Sequence, residues 1–240
     1  MDDTTNQQPS GIRTVLVTGA SRGLGLEFAR SWLARGAHVI ATARSLANSE
    51  EQDLAALQKE HPDKLRLLQL DVRDDRSIEQ LAGAVGNTQL DLLINNAGVL
   101  HVETLNNMDF ALILEQFRVN ALGALQVTHA LLGNLGEGAR VVNVTSRMGS
   151  LDDNTSGGYY GYRMSYAAQN MATRSLAVDL KSRGIIVIAM HPGMVQTDMT
   201  RGFGMLTAAE SVTGMNDVIA ALVPEQSGLF LHYQGTTLPW

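Results

Sequence analysis

The stretch Val17-Thr18-Gly19-Ala20-Ser21-Arg22-Gly23-Leu24-Gly25 is entered by a β-prone run from Thr14 and left by a segment of helical periodicity, Leu26 to Ala34. A strand that turns through glycines into a helix aims backbone N–H groups and the positive helix end at one point, which suits a pyrophosphate. Gly19, Gly23 and Gly25 permit the tight turn and a close backbone approach, with Ser21, Arg22 and Leu24 between them. An isolated glycine-rich tripeptide reads better as an ordinary turn. Its place at the first strand-to-helix junction makes this one informative.

Outward from that turn, short runs rich in Val, Ile and Leu alternate with helical segments. Candidate strands are Thr14 to Thr18, Ala37 to Thr42, Leu65 to Leu70, Leu90 to Asn95, Arg140 to Val144, Ile185 to Met190 and Leu229 to Tyr233. Runs of this kind belong to a parallel sheet covered on both faces. The expected fold class is α/β: a single doubly wound Rossmann-type domain with a central, mostly parallel sheet of about seven strands and helices on both faces. Residues 1–11 are polar and aperiodic and read as a flexible tail, leaving 12–240 as one nucleotide-binding domain.

Composition narrows the function classes. The chain has 240 residues, 45% of them hydrophobic, enough for a full core. A net charge of -6, from 18 basic and 24 acidic side chains, provides no broad positive field, so no nucleic-acid partner is expected. The absence of cysteine excludes disulfides, thiolate metal sites and a cysteine nucleophile, and it fits a cytoplasmic location. The longest apolar run, Ile185 to Met190, falls far short of the roughly 18 residues that span a bilayer, so neither membrane span nor signal peptide is expected. The six histidines show no i, i+4 pair and no acidic ligand spacing, and no metal is expected.

The second candidate strand runs on through Ala43 to Arg44. An acid at that point would bind the ribose of NAD, whereas an arginine suits the 2′-phosphate of NADP. Arg44 stands there, and Arg22 could reach the same phosphate as a second planar fork. NADP(H) is therefore favoured, with two solvated surface arginines as the open alternative.

These residues resemble the short-chain dehydrogenase/reductase family over nearly the whole chain, from Thr14 to Trp240. Thr18-Gly19-x-x-x-Gly23-x-Gly25 is similar to the family's cofactor turn, Asp71-Val72 to its adenine contact, and Asn95-Asn96-Ala97-Gly98 to the segment that steadies the central sheet. Asn120, in Phe117-Arg118-Val119-Asn120, resembles the catalytic asparagine. Pro192-Gly193, with Val195 and Thr197, resembles the stretch along the nicotinamide. The closing segment, Phe230 to Trp240, is similar to the C-factor/sniffer-type carbonyl reductase branch. The resemblance implies hydride transfer between NADP(H) and a carbonyl or alcohol of a small-molecule substrate, in a homodimer or homotetramer whose contact would use long helices over about Met108 to Leu132 and Tyr159 to Ser182. It implies Ser146 as the hydroxyl that binds the substrate oxygen and Tyr162 as the acid/base.

One position departs from the family. The family's lysine lies four residues after the tyrosine, where it lowers the phenol's pKa and binds ribose hydroxyls. Tyr166 stands there, a weaker ribose contact. Of the three lysines, Lys59, Lys64 and Lys181, none is in a segment expected to reach the site. Arg163, about 100° round the helix from Tyr162, and Arg147 could help only through unusual geometry. An unperturbed phenol, with a pKa near 10, should hamper alcohol oxidation more than carbonyl reduction.

Four of the five tyrosines, 159, 160, 162 and 166, cluster after a polar loop longer than in many members of the resembled family. That loop could shape the pocket, or Tyr159 and Tyr160 could pack as helix-start or subunit-contact aromatics. Met199, Phe203, Met205 and Met215 fall where the family carries a mobile lid. Three function classes result: an NADP(H)-dependent reductase of a carbonyl or related C=N or C=C group, a nucleotide-binding protein without turnover, and a non-redox cyclase or isomerase.

Overall fold

A computed structural model describes residues 11–46 and 52–240, so the expected tail lies, apart from Gly11, outside the described residues. Its strands are β1 (Thr14–Val17), β2 (His38–Ala43), β3 (Leu65–Gln69), β4 (Leu90–Asn95), β5 (Leu135–Val144), β6 (Ile186–His191) and β7 (Phe230–His232). They form one sheet in the order β3-β2-β1-β4-β5-β6-β7, with every neighbouring pair parallel. Strand order reverses between β1 and β4, and the carboxyl ends of those strands open the crevice where ligands of such sheets bind.

The helices are α1 (Gly23–Ala34), α2 (Gln52–Glu60), α3 (Asp75–Val85), α4 (Phe110–Gln116), α5 (Ala124–Ala130), α6 (Tyr160–Asp179) and α7 (Ala208–Ala220). They cover both sheet faces. One core layer packs Phe28 and Trp32 of α1 with Met215 and Ile219 of α7; the other packs Leu81 of α3 with Val127 of α5 and Leu93 of β4. Phe28 is fully buried, and replacing it by alanine would cost about 3–5 kcal/mol.

Several helix starts follow from local chemistry. Asp74 caps α3 by accepting from Arg76 N–H, and Asp109 caps α4 by accepting from the N–H groups of Ala111 and Leu112. Thr207 and Glu210 form a reciprocal capping box on α7. Buried amides lock helices to the sheet: Asn95 of β4 donates to Thr128 at 2.9 Å and Asn143 at 2.8 Å, and Asn143 of β5 donates to Thr173 of α6 at 2.8 Å. Through Asn143 and Thr173 these bonds tie α6 directly to the sheet.

Two expectations are corrected here. β5 begins at Leu135 rather than Arg140, because Leu135 pairs with Leu90 before a register shift that Gly136-Glu137-Gly138 disguises in the sequence. The long helix expected over about Met108 to Leu132 is broken into α4, a π-helical turn at Phe117–Gly123, and α5. Asn120 sits in that π turn, a distortion often found where a side chain must be re-aimed at a functional site.

Candidate functional site

The glycine turn is shaped by close contacts. Gly19 and Gly23 have φ of 65° and 55°, where glycine is favoured. A Cβ on Gly19 would lie 2.9 Å from Ala97 Cα, and one on Gly25 would lie 2.1 Å from the Gly19 carbonyl oxygen. Asn96 ties the turn down, its Nδ2 donating to the carbonyls of Thr18 and Gly19, both at 3.0 Å. The N-cap of α1, Arg22, makes no side-chain capping bond, and the first turn carries no acid. The N–H groups of that turn therefore point to the crevice with no resident anion, a cradle that suits a pyrophosphate.

That crevice encloses about 240 Å³. Gly19, Ser21, Arg22, Gly23, Leu24, Arg44, Asp71, Val72, Asn96, Ala97 and Gly98 line one part of it, and Tyr162, Tyr166, Pro192 and Thr197 line another. Gly25, Gly193 and Val195 do not line it. Gly25 is packed behind the turn, Val195 is buried, and a side chain on Gly193 would meet Leu206 at 2.7 Å and Tyr233 at 3.0 Å. Ser146, 8% exposed, adjoins the lining through Thr145 and Tyr162, whereas Asn120 is 0% exposed and lies outside it.

At the strand-end rim Asp71 is already engaged. Arg73 grips its carboxylate through Nε at 3.0 Å and Nη2 at 2.7 Å, and reaches Glu115 with Nη1 at 3.0 Å. The Arg73 hydrogen bond holds the Asp71 carboxyl below the usual range. Sequence reasoning missed Arg73 and Glu115, because an ion pair between positions 73 and 115 leaves no local pattern. Arg22 meets Asp198, in the segment before α7, at 3.3 Å.

In the second half, α6 presents Tyr162 and Tyr166 one turn apart, with ring centroids 4.7 Å apart and planes at 76°. Both rings are buried. The hydroxyls of Ser146 and Tyr166 both interact with that of Tyr162. Burial raises the Tyr162 pKa, and these two hydrogen bonds oppose the rise; burial also raises Tyr166 well above its ordinary value, with Tyr162 reinforcing it. The expectation of an unperturbed phenol is corrected upward: a buried phenolate without a cation is costlier than a solvated one. A Cβ on Gly98 would lie 2.7 Å from the Tyr166 hydroxyl and 3.4 Å from Asn120 Oδ1. Asn120 accepts from Val99 N–H at 2.8 Å and donates to the Val99 carbonyl and Ser165 Oγ, both at 3.0 Å.

Among the described residues no lysine or arginine takes the place of the family's lysine beside Tyr162. Lys59, Lys64 and Lys181 are exposed and away from the crevice. Arg147 is paired with Asp153. Arg163 turns back onto the loop, bonding Ser156 Oγ at 2.9 Å and the Gly158 carbonyl at 3.2 Å. The loop is also held at its start, where Ser150 Oγ and Leu151 N–H donate to the Trp240 carbonyl oxygen at 3.1 Å and 3.0 Å. Of the four clustered tyrosines, Tyr159 is exposed and Tyr160 half-buried, and only Tyr162 and Tyr166 face the crevice. Met199 lines the crevice and Phe203 and Met205, in the segment that follows it, are exposed, whereas Met215 is core rather than lid. His191 and His232, unpaired in sequence, meet with centroids 5.6 Å apart. Burial, His232 and Arg147 lower the His191 pKa to about 4.

Residues 13–205 match the family model described as short chain dehydrogenase. The chain is 53% identical over 154 residues to C-signal of Myxococcus xanthus, covering 63% of this chain and 93% of that protein. The NADPH-bound carbonyl reductase from chicken fatty liver superimposes with a TM-score of 0.90 at 35% identity, over 95% of this chain and 99% of the other. Carbonyl reductase Sniffer of D. melanogaster gives 0.87 at 31% identity, over 95% and 100%. No helix among the described residues is long and apolar enough to cross a membrane. By matched sequence, by sheet order and by the glycine crevice at its switch point, this chain belongs to the short-chain dehydrogenase/reductase family, a family of oxidoreductases.

Proposed function

We propose that the chain is an NADP(H)-dependent reductase of a carbonyl, or related C=N or C=C group, in a small and largely apolar substrate, with Tyr162 as proton donor. The observation that carries this reading is a buried phenol, Tyr162, in the same crevice as an uncapped helix end and the arginines Arg22 and Arg44. Arg22 and Arg44 would hold the 2′-phosphate, and the N–H groups at the start of α1 the pyrophosphate. Asp71, whose charge acts on Arg44, is already paired with Arg73, and Arg22 would exchange its exposed pairing with Asp198 for the phosphate. The NADPH carried by the chicken enzyme supports the same cofactor. When bound, NADPH supplies the hydride.

Everything else falls to side chains. Ser146 and Tyr162 would hydrogen-bond the substrate oxygen, and Tyr162 would deliver its hydroxyl proton as charge develops there. Burial keeps that proton in place at neutral pH, the state reduction requires. As Tyr162 becomes anionic, hydrogen bonds from Ser146 and Tyr166 stabilise it. Two neutral donors do this less well than an ammonium, so the reverse oxidation, which starts from tyrosinate, is the weaker direction. Asn120 is bonded to Val99 and Ser165 and serves the site by holding those segments. Met199, with Phe203 and Met205 in the segment that follows it, supports an apolar substrate.

A second reading, a non-redox catalyst in which Tyr162 and Tyr166 both donate to a developing oxyanion, is favoured by the same cation-free tyrosine pair. NADPH oxidation at pH 7 over a panel of aldehydes, ketones and imines, native against Tyr166→Lys, separates the readings. Turnover by both proteins, faster with lysine, supports the reductase. Tight NADPH binding without consumption, or substrate conversion with no nicotinamide oxidised, overturns it. We also propose a homodimer or homotetramer through the apolar stripe of Met164, Met171 and Val178 on α6 beside Phe110 and Leu114 of α4, all exposed. Light scattering on Met171→Glu checks it: the native mass should be a multiple of the monomer, and the variant's lower.

A further inference from the structure

Tyr162 is the third residue of α6, so its position depends on how the first turn of that helix is held. The helix's own N-cap does not hold it. Tyr159 at the N-cap makes no side-chain capping bond and has φ 52° and ψ 43°, following Gly157 and Gly158 at φ 62° and 65°. A tyrosine in the left-handed region persists only where its surroundings impose it.

The anchor is Glu103, in the segment between β4 and α4, 1% exposed. Its main-chain carbonyl accepts from Tyr159 N–H at 2.9 Å. One carboxylate oxygen accepts from Gly161 N–H at 3.1 Å, and the other from Gln116 Nε2 at 2.5 Å. Gln116, fully buried, accepts in turn from His101 N–H at 2.9 Å. A Cβ on Gly161 would come within 2.3 Å of Gln116 Nε2, so the knot forms only around a glycine. Gln116 is also the last residue of α4, where the π turn carrying Asn120 begins. One buried carboxylate thus joins the helix end of Tyr162 to the helix that carries Asn120.

We propose that Glu103 is a positioning residue for the reduction, fixing Tyr162 by capping α6 from a distant segment; the proposal rests on the reading of Tyr162 given above. The chemistry demands a carboxylate. Two donors converge on it, and a glutamine of the same shape has one acceptor oxygen. Whichever way the amides of Glu103→Gln and Gln116 rotate, one N–H among Gly161, His101 and the two side chains loses its partner. The reciprocal exchange, Glu103→Gln with Gln116→Glu, restores every bond: position 103 accepts from Gly161 and donates to 116, and 116 still accepts from His101.

The test is amide hydrogen exchange on the full chain, with steady-state kinetics, for native protein, Glu103→Gln and the reciprocal double variant. In Glu103→Gln, exchange of the amides of residues 161–165 should quicken about tenfold or more, with the rest of α6 unchanged. The kcat for NADPH-dependent reduction should fall about tenfold while KM and NADPH affinity stay within about threefold. The double variant should recover both quantities. Unchanged exchange in 161–165, acceleration spread evenly over the chain, kcat and KM moving together, or no recovery in the double variant would each overturn the proposal. A native chain that oxidises no NADPH on the panel fails the reductase reading alone, because exchange and its recovery still report whether Glu103 holds the turn bearing Tyr162.

Discussion

Helices α1 and α6 both end at the crevice, and neither is capped by its own N-cap side chain, yet the two ends are opposites. At α1 the first turn is free of acids and its glycines keep side chains away, so the positive end is left for a ligand's anion. At α6 a resident anion, Glu103, is already seated on Gly161. A binding site needs unsatisfied donors, whereas a catalytic side chain needs a backbone that does not move.

The comparison can be broken most severely at the group α6 carries. Tyr162→Phe should lower kcat by about 10²–10⁴-fold while NADPH affinity, set at α1, stays unchanged; stopped-flow reduction and fluorescence titration check the two halves. Breaking the other end inverts the pattern. Arg44→Ala or Arg22→Ala should weaken NADPH about 10- to 100-fold, leaving NADH binding and kcat at saturation nearly intact, as paired titrations would show.

A cation at α6 would sharpen the contrast. Tyr166→Lys should raise alcohol oxidation at pH 8 about tenfold for each unit by which it lowers the Tyr162 pKa. In the native chain that rate should climb with pH to beyond 10, the ordinary phenol value that burial raises. A flat native profile from about pH 7 to 10 would contradict this. Stability should show the same burial. A raised folded pKa contributes stability below pH 10 that is lost as pH rises through it, so alkaline denaturation should begin there and be milder in Tyr162→Phe. His191 has the opposite sign: its pKa falls from 6.5 to about 4, so its contribution is present above pH 6.5 and lost as pH falls toward 4, which urea titrations would detect. The smallest effect belongs to an ordinary cap. Thr207→Ala on α7 should cost about 1 kcal/mol in thermal unfolding with kcat unaltered, unlike Glu103→Gln.

Legibility divides along the chain. The turn from Thr18 to Gly25, Arg44 after the second strand and the Tyr162–Tyr166 spacing were readable because each is a local pattern whose geometry follows from a few residues. The start of β5 was hidden because Leu135 pairs across a register shift, and the π turn at Asn120 because the helical periodicity runs on through it. Arg73–Glu115 and Glu103–Gln116–Gly161 had no signal, since their partners lie 42, 13 and 58 residues apart.

The sequence by itself determined the alternation of strands and helices, the glycine turn that opens the crevice, and the absence of a lysine four residues after Tyr162, because these depend on residue type and short spacing. Only the tertiary structure decided that Tyr162 and Tyr166 are buried without a cation and that Glu103 holds the turn beneath them. Burial and paired hydrogen bonds are properties of groups brought together across the fold, and the desolvation that raises the phenol pKa has no counterpart in the extended chain.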